Sequence, residues 1–247
     1  MKVRAVPAVT RSIAILRLLG RAKTPMGMKA ISQALGLVPS TSLHILRVLV
    51  AEEMVKVDSE KRYSLGMGML SLARTALDGS DFPTLVQPRI DALSKRYAVT
   101  AIGVELPNLE HMIVVALSQT QAPVRLHVDI GSRFPALISA TGRCMAAFCG
   151  QPPAEIEKRF RALRWHNAPD YRSWLKEVDT VRRQGFSIDR GNYIAGVTIV
   201  AVPVLDAAGR ISKTIASVGI SSQLDRPTSV ALAHDMQAVA RAVAAEL

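Results

Sequence analysis

A chain of 247 residues with 49% apolar side chains is long enough for one small and one medium domain, each with a buried core. Its 31 Lys and Arg outnumber 20 Asp and Glu for a formal charge of +11, and no apolar run reaches the roughly 18 residues that span a bilayer. Met1-Lys2-Val3-Arg4 lacks the apolar core of a secretory signal. Cys144 and Cys149 are spaced to point to different faces of one helix, so the expectation is a cytoplasmic protein without a disulfide and off the membrane.

Met1–Pro7 reads as a basic arm, followed by a helix over Ala8–Leu19 with Val9, Ile13, Leu16 and Leu19 or Gly20 inward. Thr24–Gly27 reads as a loop. Ile31, Ala34 and Leu35 then mark one face of a short helix that Gly36 ends, and Pro39-Ser40-Thr41 opens another. In this second helix Leu43, Leu46, Leu49 and Val50 share one arc. Ser40, His44 and Arg47 share the opposite arc, with Thr41 at its edge. Hydroxyls, an imidazole and a guanidinium unopposed by any carboxylate suit entry into a DNA groove. The same pattern also fits the solvated face of a helical hairpin, and these residues alone leave both readings open. Val55-Lys56-Val57 and Arg62-Tyr63-Ser64, separated by Asp58-Ser59-Glu60-Lys61, read as a β-hairpin. A helix pair followed by a basic-tipped hairpin is a winged helix-turn-helix.

Charge sharpens the choice. Residues 1–64 hold eleven Lys and Arg against four acids, a balance of +7, and no Asp or Glu precedes Glu52. The remaining residues hold 20 basic and 16 acidic side chains, a balance of +4. Such a bias suits a polyanion, because each neutralised phosphate releases counterions. A face of Ser, Thr and His is a poor lipid anchor.

Leu65–Leu77 reads as a linker helix ending at the turn formers Asp78–Pro83. Beyond it a helix is predicted over Phe82–Tyr97 with Val86, Ile90, Leu93 and Tyr97 inward. Strands follow at Thr100–Leu106, Met112–Ser118 and Val124–Val128, then a loop over Ile130–Pro135 and a helix from Ser139 to Phe148. Helices at Pro152–Arg161 and Tyr171–Gly185, strands at Phe186–Asp189, Thr198–Leu205 and Thr214–Ile220, and a last helix at Pro227–Ala245 complete the chain. The expected fold class is α+β. Residues 1–64 form a winged helix-turn-helix, 65–82 a linker, and 83–247 an α+β domain on a mixed, mostly antiparallel sheet.

Residues from about Val9 to Leu70 resemble the DNA-binding domain of IclR-type transcriptional regulators. The matching pieces are Arg11-Ser12-Ile13-Ala14-Ile15-Leu16, Ser40-Thr41 and Arg62-Tyr63-Ser64-Leu65-Gly66. The second half resembles that family's GAF-like effector-binding domain at Ile130-Gly131-Ser132, Ala140-Thr141-Gly142-Arg143, Gly185-Phe186, Asp189 with Gly196, and Ala201-Val202-Pro203-Val204 before Asp206 and Gly209. The resemblance implies a ligand-responsive regulator, not an enzyme, that binds operator DNA as a dimer or dimer of dimers and needs no cofactor or metal. Ser40, Thr41, His44 and Arg47 would enter the major groove, and Arg11, Lys56, Lys61 and Arg62 would hold phosphates. The ligand would be a small organic acid or aromatic compound. Carried over one by one, Ala140 and Thr141 would offer amides at a helix start, Asp189 and Ile199 would face the ligand, and Leu126, Phe134 and Val197 would wall it in.

Several positions depart from the family. His44 stands where Arg is common and Pro39 where Lys often occurs, which implies a different base preference. Ala216 and Val218 replace hydroxyl side chains of carboxylate-binding members, so the ligand is expected to be less polar, aromatic, or differently oriented. Asn192 replaces a Glu near the pocket, and little is expected to follow from it.

Other features admit plainer readings. Asp189 beside Arg190 also fits a surface ion pair at a strand end. His127 and Asp129 share a strand face but are two ligands, too few for a zinc site, and Cys144 has no legible His partner. Lys158-Arg159-Phe160-Arg161 with Arg164 reads as a solvated face, and His111, His166 and His234 as loop or surface residues. No Gly-x-Ser-x-Gly elbow, P-loop or Gly-x-Gly-x-x-Gly is present. Two rival functions remain: an enzyme tethered to nucleic acid, with Asp189, His127 or Cys144 catalytic, and a ligand-independent repressor whose second domain only oligomerises.

Overall fold

Proline and glycine punctuate the first unit. Pro7 occupies the first position of helix α1 (Pro7–Arg21), where its missing N–H costs nothing. Helix α2 (Met28–Leu35) ends at Gly36, whose φ of 60° and ψ of 35° are left-handed, and the Leu37 amide returns to the Ser32 carbonyl at 2.9 Å. Pro39 then opens helix α3 (Pro39–Ala51), and the α2–α3 pair is bent by 116°. That lies within the roughly 90–120° of helix-turn-helix units. The computed structural model describes residues 6–78, 81–119 and 128–247. The expected basic arm to residue 5, and the strand expected at 124–128 apart from Val128, lie outside the described residues, as do Leu126 and His127.

The chain forms two compact units, Met1–Gly79 and Ser80–Leu247. In the first, β2 (Val55–Val57) and β3 (Arg62–Leu65) form the expected hairpin, with Val57 opposite Tyr63. The Asp58 carboxylate shapes its turn by accepting the amides of Glu60 and Arg62 at 3.0 and 2.9 Å. Thr24–Gly27 is not wholly loop: β1 (Met26–Gly27) pairs with β3, giving the order β1-β3-β2. The unit closes with helix α4 (Gly68–Asp78), which starts three residues later than expected because Leu65 belongs to β3.

The core of this unit holds Ile15, Leu19, Ile31, Leu46, Leu49 and Val55. It corrects the predicted inner face of α1, since Val9 is 59% and Ile13 41% exposed. Apolar residues lie on both sides of that helix, so periodicity alone does not choose between stripes. Packing against α3 and β3 selects Ile15 and Leu19. Ala34 is likewise exposed, and Ser32 takes the buried position, its hydroxyl bonded to the Met28 carbonyl at 2.9 Å.

The second unit runs α5 (Phe82–Tyr97), β4 (Thr100–Glu105), β5 (His111–Leu117), β6 (Arg133–Pro135), α6 (Ser139–Phe148), α7 (Pro153–Arg161), α8 (Tyr171–Gln184), β7 (Ser187–Arg190), β8 (Val197–Leu205), β9 (Ile211–Ile220) and α9 (Arg226–Glu246). Its six described strands follow the order β6-β5-β4-β9-β8-β7, and every described pair is antiparallel rather than mixed. The segment expected as a loop over Ile130–Pro135 contains β6, which sets Phe134 opposite Met112. One sheet face packs Val200, Val202 and Ile215 against Phe82, Val86 and Ile90 of α5 and Leu232 and Met236 of α9. The other packs Val104, Ile199 and Ala216 against α6, α7 and α8, through Cys144, Phe160 and Trp174. Burial on both faces explains why β4 and β8 read as continuous apolar runs instead of alternating.

Candidate functional site

The outer face of α3 presents Ser40, His44 and Arg47 to solvent, with Thr41 half-buried. Leu46 and Leu49, on the opposite arc, fix the rotation of the helix in the core. Among the described residues no carboxylate lies within ion-pairing distance of Arg47. Val48, 60% exposed, stands one turn beyond His44 and was missed by the sequence reading, although it falls on the same arc. A methyl group there is suited to the thymine C5-methyl in a major groove. Lys56, Lys61 and Arg62 of the hairpin are exposed, as is Arg11 of α1. Arg62 pairs with Glu60 at 3.0 Å, both solvent-exposed. Such a pair is worth about 0–1 kcal/mol, so a phosphate can compete for the guanidinium.

The second candidate site is a cavity of about 290 Å³ at the start of α6. Its floor is the sheet, through Ile102, Met112, Ile199, Ala216 and Val218. Phe134 and Val128 wall one side, Tyr193 and Ile194 stand on a loop, and Ile138, Ser139 and Thr141 come from the helix start. No charged side chain is among them. The first turn of α6 is tight because Gly142 has no side chain: a Cβ there would lie 2.0 Å from the Leu137 carbonyl carbon and oxygen. Ser139 has a φ of +60°, unusual for a residue with a side chain. Its hydroxyl, buried and without a protein partner, is the site residue most plainly overlooked in the sequence.

Of the positions expected to face a ligand, Phe134, Thr141, Ile199, Ala216 and Val218 meet at this cavity. Ala140 is buried in the first turn of α6, and Val197 packs at the edge of the neighbouring core; neither side chain lines the cavity. Asp189 requires correction. It is 1% exposed and not in the lining, and it makes no ion pair with Arg190. Its Oδ2 accepts from Arg143 at 3.2 Å, and its Oδ1 accepts the amides of Asn192 and Tyr193 at 3.0 and 3.4 Å. Arg190 instead donates to the carbonyls of Leu224 and Ser221.

Arg143, itself 1% exposed, binds Glu177, Asp189 and the Asn192 side-chain oxygen, and its guanidinium stands 6.0 Å from the Trp165 ring centre. Asn192 also donates to the Asn167 carbonyl at 3.2 Å. The residue from which little was expected therefore ties the Tyr193–Ile194 loop to α6 and to the segment after α7. A buried ion pair holding that loop is what the sequence could not display, because its members are 46 residues apart.

The remaining candidates find ordinary places. Burial pushes the Cys144 thiol up to about 12, and its Sγ lies 3.5 Å from the Ala201 carbonyl, so it is a packed thiol and no nucleophile. Arg159 and Arg161 pair with Glu155 and Glu157 one turn earlier on α7, giving a solvated face. His166 and His234 are exposed. Among the described residues no three His, Cys, Asp or Glu side chains converge. A larger groove of about 430 Å³ lies between α8, β7 and α9, but its Glu177 and Arg190 are already engaged by Arg143 and by backbone carbonyls.

A winged helix-turn-helix with an exposed polar helix face, on the same chain as a separately folded unit with an apolar cavity, is the architecture of a DNA-binding transcriptional regulator. Residues 8–59 match the IclR helix-turn-helix domain, and residues 74–245 match the bacterial transcriptional regulator IclR C-terminal domain. The chain belongs to the IclR family of transcriptional regulators, which are not enzymes. It is 28% identical to the uncharacterized regulator RhmR of Escherichia coli K12 over 96% of this chain and 91% of that one. It is 24% identical to the repressor AllR of the same strain, over 97% and 90%. Its fold is shared with an IclR regulator from Alicyclobacillus acidocaldarius (TM-score 0.84, 24% identity, 98% and 99% covered). A homologue from Microbacterium hydrocarbonoxydans, solved with 4-hydroxybenzoate, also shares it (TM-score 0.79, 18% identity, 97% and 98% covered).

Proposed function

We propose that this protein is a ligand-responsive transcriptional regulator of metabolic genes, acting in the cytoplasm as a dimer or dimer of dimers on operator DNA. Ser40, Thr41, His44 and Arg47 read the major groove, with Val48 adding an apolar contact. Arg11, Lys56, Lys61 and Arg62 hold phosphates and set the register. The observation that carries the sensory half is the cavity at the start of α6, lined by Ser139 and Thr141 at the helix start and by apolar side chains of the sheet. An aromatic compound or small organic acid bound there alters DNA occupancy only by preferring one quaternary arrangement over another. The complex of a fold relative with 4-hydroxybenzoate is consistent with a ligand of this kind.

The test is fluorescence anisotropy on duplexes from the gene's own surroundings, over a salt series, with and without a metabolite panel. A steep fall of affinity with salt, and a shift in Kd caused by at least one metabolite, are expected. A flat salt response rejects the DNA reading. A DNA affinity that no metabolite changes favours the ligand-independent repressor.

A further inference from the structure

The larger sheet ends in two unlike edges. At one end β6 has three residues, and its Pro135 has no amide to offer a further strand. At the other end β7 contains neither proline nor glycine, and among the described strands it pairs with β8 alone. Its register identifies the groups left over. The Gly191 amide donates to the Val197 carbonyl at 2.9 Å, in line with Arg190 opposite Thr198. Hydrogen-bonded pairs alternate along an antiparallel ladder, so Asp189 and Ser187 also bond inward, while Ile188 and Arg190 turn their amides and carbonyls outward. The outward carbonyl before them, that of Phe186, is already taken by Gln184 Nε2 at 2.8 Å. Among the described residues nothing bonds the outward backbone groups of Ile188 and Arg190.

We propose that the outer edge of β7 is a docking strand for an extended acidic segment of a partner protein, which adds to the sheet in the antiparallel sense of its other strands. The edge lies in the groove of about 430 Å³ between α8 and α9. Ser187 and Ile188 belong to opposite sheet faces and both line that groove, as they can only where it runs along the edge. Main-chain hydrogen bonds give such docking its affinity, and alternate side chains give it specificity. On the α8 wall stand Thr180 and Val181, with Glu177 already held by Arg143. On the α9 wall stand Val230 and Arg226, which is exposed and has no carboxylate partner among the described residues. Arg190 directs its donors to the Leu224 and Ser221 carbonyls, which leave its charge in place. Asp225 offsets part of that charge while it caps the Thr228 amide at 2.8 Å, so Arg226 is the cation left unanswered. An added strand therefore carries acidic side chains towards α9 and β-branched ones towards α8. A second copy of this chain fits worse. Pairing β7 with its own copy about a two-fold axis brings the two α9 walls, and with them the two Arg226 side chains, to the same face.

Fluorescence anisotropy on the full chain tests this with short labelled peptides. One alternates valine and glutamate, and a second has lysine in place of glutamate. Two more repeat the first with either its glutamate or its valine amides N-methylated. Residues directly opposite in an antiparallel pair share a face, so the glutamate amides are the ones that meet Ile188 and Arg190. The unmodified glutamate peptide is expected to bind, and the lysine and glutamate-methylated peptides to bind about tenfold more weakly or worse. Methylating the valine amides, which point away from β7, should change affinity by less than about threefold. Arg226→Glu should weaken the glutamate peptide about fivefold and leave the melting temperature unchanged. Ile188→Pro removes one outward amide, a change an edge strand tolerates, and should weaken it about tenfold. If that variant unfolds, Arg226→Glu and the methylated pair still decide. Equal binding of the two methylated peptides means that no strand is added. Equal binding of the lysine peptide means that charge does not select the partner, and no binding of the glutamate peptide means that the edge takes no such segment. Each of these overturns the proposal. A fall in the sedimenting mass of the folded Ile188→Pro chain would give the edge to a second copy and overturn it as well.

Discussion

The recognition face of α3 and the cavity at α6 are built on opposite plans. On α3 and the hairpin, exposed cations lie within about two dozen consecutive residues, and the one ion pair there among the described residues, Arg62 with Glu60, is exposed and weak. At α6 the charges are internal: Arg143 and Asp189 are both buried and satisfy each other, and the cavity is left with hydroxyls, amides and hydrocarbon. A surface meant for a polyanion gains by leaving charge unpaired in water. A chamber for a small molecule must neutralise its own charge first, because an unpaired buried ion is far costlier than an exposed one. Each plan makes its own predictions.

The largest effect should come from Asp189→Ala. It strands Arg143 with a half-exposed Glu177 and frees the Asn192 and Tyr193 amides, so unfolding in urea should show a loss of roughly 3 kcal/mol. A loss under about 1 kcal/mol would mean that the pair does not hold the loop, and the contrast between the two plans would fail.

Next comes the alkaline limb. The folded Cys144 thiol sits near 12 against an ordinary value of 9.0, so folding favours its neutral form. The stabilisation is complete below about pH 9 and is lost as pH rises from there towards about 12. Cys144→Ala should flatten that part of the stability–pH curve, and wild-type Cys144 should resist thiol reagents at pH 8. Rapid labelling of the folded protein would contradict its burial.

Arg47→Ala should cost about 1–3 kcal/mol of specific DNA affinity and relax base preference at one position. A binding-site selection that returns the wild-type pattern would remove Arg47 from the groove. The smallest effect sharpens the comparison most. Lys61 has a φ of +59°, so Lys61→Gly should stabilise the fold by about 0.4–1 kcal/mol while reducing the log Kd–log salt slope by about 0.9. A side chain whose backbone position strains the fold yet whose charge aids DNA binding is what the exposed plan requires. An unchanged slope would show that the wing tip touches no phosphate.

The recognition helix was legible because everything that shapes it is local. Gly36 and Pro39 bound the turn, Leu46 and Leu49 orient the helix, and the polar arc follows from a period of 3.6. The same reasoning placed Leu19 of α1 inward correctly but misplaced Val9 and Ile13, which are exposed, and passed over Ile15, which is fully buried. It also missed β1 and β6, strands of two and three residues, too short to show a period and created only by β3 and β5 beside them.

At the cavity the residue types were legible but not their roles. Positions 134, 199, 216 and 218, carried over from the family resemblance, line one cavity. Asp189 and Asn192 were misread because a carboxylate's role depends on what faces it, and Arg143 reaches it from another element.

From its order of residues alone this chain determined two domains, a winged helix-turn-helix, an antiparallel-rich α+β fold and a cationic front end, because pattern, turn chemistry and charge act over a few neighbours. Tertiary packing decided which stripe of α1 is buried, that Asp189 serves a loop instead of a ligand, and that the Ser139 hydroxyl waits unpaired at a helix start. Those outcomes depend on distances between residues dozens of positions apart, and only the assembled sheet and helices set such distances.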